Sequence, residues 1–230
     1  MLHPWNLAPD EAIALQKQLR ERLVLMWSDR AVDTVGGVDV SIKTDVARAA
    51  IAVFRYPDLS PLASVTADVP LTFPYIPGLL AFREIPAILA AWDRLTQKPD
   101  LLLIDGQGIA HPRGMGIASH LGLWLERPTI GVAKSRLYGN HAEPGANRGD
   151  RAPLFDERAP SKIIGAVLRT RPGVKPLYVS PGHLIDLDHS LQFVLDCVTQ
   201  YRLPEPTRWA HNVGAGVPFP TDDGLQARLF

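Results

Sequence analysis

Three carboxylates stand in apolar surroundings in this chain: Asp39 within Val35-Gly-Gly-Val-Asp-Val-Ser41, Glu84 at the end of Leu79-Leu-Ala-Phe-Arg-Glu84, and Asp105 at the end of Leu101-Leu-Leu-Ile-Asp105. A buried carboxylate costs several kcal/mol unless positive charge compensates it. Three of them, drawn from distant parts of one chain, are most simply reconciled by a shared divalent cation. Mg2+ prefers octahedral oxygen ligation and keeps several waters, so one or two carboxylates and a substrate phosphate complete its shell. The chemistry this predicts is attack on a phosphoester, with the ion polarising the phosphoryl oxygen and delivering hydroxide in line with the leaving oxygen. Taken singly, Asp39 could be a strand-edge acid, Asp105 a helix cap, and Glu84 a solvated helix residue paired with Arg83. The set, more than any member, points to a metal.

Other residues have types and positions that suit the same chemistry. In Asp105-Gly-Gln-Gly-Ile-Ala-His-Pro-Arg113 two glycines follow the acid closely, where backbone without Cβ atoms can approach a ligand. The run lacks the three-glycine spacing of a dinucleotide loop, and an ordinary β-turn is the competing reading. His111 lies six residues beyond Asp105, within reach of the same cleft, although a loop histidine before proline can be purely structural. Lys134 ends the apolar run Thr129-Ile-Gly-Val-Ala133, where parallel strands present their ligands, and could stabilise charge gathering on phosphate. Pro74-Tyr-Ile-Pro77 is a stiff segment, because two prolines fix φ and push the residues before them away from helix. A rigid Tyr75 there could act as a wedge that enters a base stack and displaces a nucleotide. Packing of that tyrosine onto its own domain is the alternative.

These residues need elements to position them. Apolar spacing predicts an amphipathic helix over Asp10–Leu23, then strands over Thr34–Ile42, Ala47–Tyr56 and Leu62–Leu71 joined by short turns. A helix follows over Gly78–Gln97, with Glu84 in its first half, and a buried strand over Leu101–Asp105. A helix over Gly114–Leu125 and a strand over Thr129–Ala133 continue the alternation and imply parallel pairing. Tyr138–Ala159 is expected to be an irregular loop, followed by strands Ile163–Thr170 and Leu177–Val179 and a helix over Leu187–Tyr201. An antiparallel meander, a helix and then a parallel strand is the order of an α/β ribonuclease H-like fold, with a mixed central sheet flanked by helices. Such a fold sets Asp39 beside Asp105.

With 230 residues, 46% apolar and 21% charged, the chain is expected to form one domain over residues 1–230, with a tail over 212–230 that its Gly and Pro content makes mobile. No apolar run is long enough to cross a bilayer, and the N-terminus lacks a basic region followed by an apolar stretch, so a cytoplasmic protein without membrane partners is expected. Cys197, the only cysteine, is expected in the core. The 24 basic and 24 acidic residues balance, which gives nucleic-acid binding no support unless bases and acids are segregated in space.

The strings Gly37-Val-Asp39, Phe73-Pro-Tyr-Ile-Pro-Gly-Leu-Leu-Ala-Phe-Arg-Glu84, Asp105–Arg113, Gly131-Val-Ala-Lys134, Ser180-Pro-Gly-His183 and Arg202-Leu-Pro-Glu-Pro-Thr-Arg208 together resemble the endonuclease V family, from about the first helix to His211. The resemblance implies an enzyme of DNA repair that cleaves one strand near deoxyinosine, deaminated adenine, at the second phosphodiester on the 3′ side, with Mg2+ or Mn2+ as cofactor; a monomer is expected. It implies that Asp39 and Asp105 bind the metal with Glu84 as third acid, that Lys134, His111 and His211 belong to the active site, and that Tyr75 with Pro74, Ile76 and Pro77 is the wedge. The lesion pocket would be lined by Gly78, Leu80, Gly106 and Ile117. Fixed backbone partners there could accept hypoxanthine, with its N1–H donor and O6 acceptor, and reject adenine, which offers the reverse. After His211 the sequence departs from the basic ending of some members. The same residues leave room for cleavage of inosine-containing RNA or structure-specific incision, and for a small-substrate phosphatase, which would leave Pro74–Pro77 without a purpose. A non-catalytic lesion-binding module would be expected to lack the acids or the lysine, and all are present.

Overall fold

The computed structural model describes residues 2–220. Strands β1 (Thr34–Lys43) and β2 (Val46–Arg55) are joined through Thr44 and Asp45, both at positive φ, the two-residue turn whose twist matches that of an antiparallel pair. β3 (Pro61–Pro70) completes the meander. α2 (Leu80–Arg94) then crosses one face of the sheet, and β4 (Leu101–Ile104) returns parallel to β1. After α3 (Ile117–Leu125), β5 (Thr129–Ala133) pairs parallel to β4, while β8 (Leu177–His183), β7 (Ile163–Leu168) and β6 (Arg151–Phe155) extend the sheet antiparallel. The eight strands run β3-β2-β1-β4-β5-β8-β7-β6, a mixed sheet in an α/β fold of the ribonuclease H-like kind.

Alternate side chains of the same strands feed two cores, as a pleated sheet requires. On one face Val38, Ala49, Ile51 and Val53 pack under α2 and α3; on the other, Val35, Ala52, Phe54, Leu101 and Leu103 meet α4 (Leu187–Asp196) and α5 (Glu205–Gly214). Cys197 lies fully buried in the second core. α1 (Pro9–Leu19) stands outside this sandwich and ends in a 3-10 turn, Arg20–Arg22, so the expected first helix is shorter than its apolar pattern. Among the described residues no helix is long and apolar enough to cross a membrane.

Other elements also differ from expectation: α4 ends at Asp196 short of Tyr201, β8 runs on from Val179 to His183, and α5 has no counterpart among the expected helices. The segment Tyr138–Ala159 contains β6, a short edge strand; its Pro153 suits an edge, where one missing N–H costs no ladder bond. The first part of the expected tail is ordered against the core, because α5 runs through Gly214 and Phe219 packs edge-on against Phe54 and Trp209. Residues 221–230 of that tail lie outside the described residues.

Candidate active site

The pairing of β1 with β4 sets Val38 opposite Ile104, and the Asp105 N–H donates to the Val38 carbonyl at 3.0 Å. Asp39 and Asp105 are therefore the next residues on two adjacent parallel strands. Glu84 comes to them from the sheet face covered by α2, its side chain buried. Burial first, and then the charges of Asp39 and Asp105, push the Glu84 carboxyl up to about 8. Burial and Asp39 also raise Asp105, against the lowering pull of Lys134, whose ammonium donates to the Asp105 carboxylate. Arg83 does not pair with Glu84; its guanidinium donates to the Phe73 carbonyl.

From the opposite face α5 lies almost flush on β1. A Cβ on Gly37 would stand 1.9 Å from the Pro206 carbonyl carbon, so only glycine lets the helix start so close. Asp39 is about 6.6 Å along the strand from Gly37, and His211 about 7.5 Å along the helix from Pro206. Matching these advances brings His211 Nδ1 within 3.1 Å of Asp39 Oδ2, with the ring half open to solvent.

The set comprises three carboxylates and one lysine, with His211 against Asp39. Among the described residues no group of three or more His, Cys, Asp or Glu is drawn together as a ready-made metal cage. Mg2+ does not need one, because it completes its shell with waters and substrate phosphate. The observation that fits a divalent ion is electrostatic: burial first, then the charge of Asp39 on both and of Asp105 on Glu84, hold Glu84 and Asp105 toward protonation, offset by the Lys134 ammonium at Asp105 and the Arg83 charge near Glu84.

A cavity of about 360 Å³ opens beside this set. Its wall includes Tyr75, Ile76 and Pro77, then Gly78, Leu80, Gly106 and Ile117, and ends at Asp105 and Lys134. The expected lesion-pocket residues are thus brought together, whereas Asp39, Glu84 and His211 lie behind Asp105 and off the wall. Tyr75 is 71% exposed at the rim. Pro74 beside it is also exposed.

His111 lines the cavity without being free to act on the carboxylates. Its Nε2 donates to the Gly78 carbonyl at 2.9 Å and its Nδ1 accepts from the Arg113 N–H at 3.1 Å. Burial, then the Arg113 charge, lower its pKa to about 4, so it is neutral and its tautomer is set. Geometry gives it the task of positioning Gly78, whose φ of +80° already marks a constrained turn.

Residue-type reasoning passed over Gln16, which α1 buries to 1% exposure. Its amide nitrogen donates to the carbonyls of Gly78 (3.0 Å) and Met115 (3.1 Å), and its oxygen accepts from Arg113 Nε (2.5 Å). Arg113 Nη2 also donates to Gly78 O at 2.6 Å. Gln16→Leu keeps the volume but strips these bonds. It is expected to destabilise the fold by about 2 kcal/mol, read by denaturant unfolding; an unchanged midpoint would remove the lock from the account. Arg202 plays a similar part at the other end, donating to the carbonyls of Lys134 and Pro176. A buried amide on an amphipathic helix and an arginine in a Pro-rich stretch carry no local signal that could have marked them.

A family model for endonuclease V matches residues 17–212. Endonuclease V of Trichormus variabilis is 50% identical over 216 residues, covering 93% of this chain and 96% of that protein. The one from Methanothrix thermoacetophila is 48% identical over 210 residues, covering 91% and 92%. Among solved structures, endonuclease V of Streptomyces avermitilis is 44% identical with a TM-score of 0.86, covering 92% of this chain and 93% of that one. Endonuclease V of Ciona intestinalis, in complex with a 23mer DNA containing an inosine followed by a ribo-adenosine, is 27% identical with a TM-score of 0.78, covering 91% and 98%.

Proposed function

This chain belongs to the endonuclease V family, and from that premise we propose that it is a nuclease of deaminated DNA that recognises deoxyinosine and hydrolyses the second phosphodiester 3′ to it with Mg2+, or Mn2+ in its place. The observation that carries the reading is a single cavity whose rim is Tyr75 and whose far wall is the Asp105–Lys134 pair. A displaced base and a nearby phosphate can occupy it together.

Asp39 and Asp105 would hold the ion, with Glu84 reaching it directly or through water. When bound, a divalent cation polarises the phosphoryl oxygen and lowers the pKa of a coordinated water toward neutrality. Lys134, held on Asp105, would offer its ammonium to the non-bridging oxygens as charge accumulates on them. His211, fixed through Nδ1 on Asp39, keeps its exposed edge free to hold or pass a proton at the leaving oxygen. His111 acts on the pocket and leaves the proton to others. Gly78, Leu80, Gly106 and Ile117 surround the base, and the backbone groups among them supply partners that hypoxanthine satisfies and adenine does not.

Tyr75, between Pro74 and Pro77, replaces the stacking partner that the displaced base leaves behind. Tyr75→Ala is expected to slow nicking of an inosine duplex by roughly ten- to a hundredfold, from a few kcal/mol of unstacking no longer offset. A single-stranded inosine oligonucleotide should be cut with a smaller loss. Equal losses on both substrates would deny it the wedge role.

The function itself is tested with labelled duplexes that differ only by deoxyinosine or adenine at one position, with Mg2+ present or chelated. Mg2+-dependent nicking confined to the inosine strand is expected, and equal cutting of the adenine duplex contradicts the reading. The Ciona relative's oligonucleotide carries a ribonucleotide after its inosine, so an inosine-containing RNA belongs in the same assay. Preferential cutting of that RNA would reassign the substrate while keeping the site. Cutting of inosine-free flaps would favour the structure-specific alternative.

A further inference from the structure

A second cleft, of about 400 Å³, lies on the other side of the turn that carries His111 and Gly114. Arg20, Arg113, Arg158 and Lys162 line it, against the carboxylates of Glu21 and Asp156, with Leu23, Ile109 and Ile164 beneath. Both acids are engaged by other groups of the cleft wall. Glu21 pairs with Arg20 at 2.7 Å, and Asp156 accepts from the Tyr138 hydroxyl at 2.8 Å and from the Arg158 N–H at 2.8 Å. None of the ion pairs among the described residues includes Arg113, Arg158 or Lys162.

Arg113 and Arg158 therefore face the cleft outside any ion pair, Lys162 has only the charge of Asp156 near it, and the four basic side chains of the lining outnumber its two carboxylates. Burial and the nearby Arg158 charge together lower the Arg113 pKa, the mark of like charges left close to one another. Arg158 Nη1 makes a long contact, 3.3 Å, to the Pro112 carbonyl, and Lys162 is exposed. An anion between them would relieve the repulsion and take several charge-assisted hydrogen bonds. Arg113 also ties this cleft to the lesion cavity, because its Nη2 donates to the Gly78 carbonyl.

We propose that this cleft binds one backbone phosphate of the nucleic-acid strand, a few linkages from the displaced base and distinct from the phosphate that is cut, through Arg158, Lys162 and the outer edge of Arg113. The inference rests on the reading of this chain as a nuclease of inosine-containing strands. It also suits a neutral chain that binds a polyanion, because four basic side chains against two acids give this cleft a local excess of positive charge. Because Arg113 lines this cleft and donates to Gly78 on the wall of the other, occupancy of this cleft steadies the Gly78 turn against the base.

The test measures affinity for inosine oligonucleotides in chelator, with methylphosphonate replacing one phosphate at a time. The intact protein should lose roughly tenfold in affinity when one particular linkage outside the scissile position is neutralised. In Arg158→Ala/Lys162→Ala that penalty should vanish, and the salt dependence of binding should flatten by about one to two phosphates' worth. Lys162→Ala alone, an exposed change, should lose part of the penalty, and exposed Lys175→Ala should keep all of it. If no linkage shows a penalty that depends on these residues, the inference is overturned while the nuclease reading stands. If the intact protein shows no preference for the inosine strand, the nuclease reading fails and this inference with it. Inorganic phosphate that competes with the protein only through Arg158 and Lys162, with no linkage-specific penalty, would make the cleft a site for a free anion and would equally overturn the assignment to the strand.

Discussion

Asp39→Ala and Asp105→Ala are each expected to lower strand cleavage by about a thousandfold or more, since removing a carboxylate that holds the ion forfeits several kcal/mol of transition-state stabilisation. Binding of the inosine strand in chelator should change only a few-fold, because the cavity wall, apart from Asp105 itself, is left intact. Neither variant should lose stability through the acids. Asp105 is raised by burial and by Asp39, so taking one carboxylate away relieves repulsion. Cleavage and binding assays run side by side separate these effects. Retained cleavage in both variants would remove the metal assignment, and cleavage lost together with binding and fold would leave it without support.

Glu84 carries the second large effect, and its sign runs opposite for stability and activity. Its folded-state pKa of about 8 lies above the ordinary 4.5, so the folded protein holds a proton that the unfolded chain has already released. The metal-free protein is thus most stabilised by this group below pH 4.5, and that contribution is lost as pH rises toward 8. Glu84→Gln removes the titration. At pH 8 without metal it should be more stable than the parent by on the order of 2–4 kcal/mol, with the difference fading toward pH 4.5. Cleavage should fall by about a hundredfold or more. Added Mg2+ should restore stability to the parent at pH 8, and do little for the variant. Thermal unfolding across this pH range, with and without Mg2+, reads all of these, and a variant less stable than the parent at pH 8 would contradict the electrostatic account of the site.

Much of this site could be read from the chain. The Thr34–Leu71 meander and the helix bearing Glu84 show in their periodicity, the Leu101–Ile104 strand shows as a continuous apolar run, and their order makes Asp39 and Asp105 neighbours. Parallel register then does what no local signal could, setting Val38 opposite Ile104 so that the acids follow side by side. Two prolines made Pro74–Pro77 visible as a stiff tip, and Tyr75 stands exposed on it.

What escaped was tertiary. α5 opens on Pro204-Glu-Pro206, residues that look like a break yet suit the first turn of a helix, where an N–H is not needed. Without that helix the approach of His211 to Asp39 could rest only on family resemblance. His111 shows the reverse: its place in the chain was a fair guide to the cleft, but both ring nitrogens are engaged on Gly78 and Arg113. Gln16 looked like the polar side of an amphipathic helix, and only the folded chain reveals that it faces inward between two carbonyls. The balanced charge likewise concealed where the charges lie.

Crystals prepared with Mn2+ offer the most direct check, because anomalous scattering locates the ion without reference to activity. The account predicts a peak among the carboxylate oxygens of Asp39, Glu84 and Asp105, with the Lys134 ammonium drawn away from its contact on Asp105. A peak at other ligands, or bare carboxylates under conditions in which the same protein cuts an inosine strand, would contradict it.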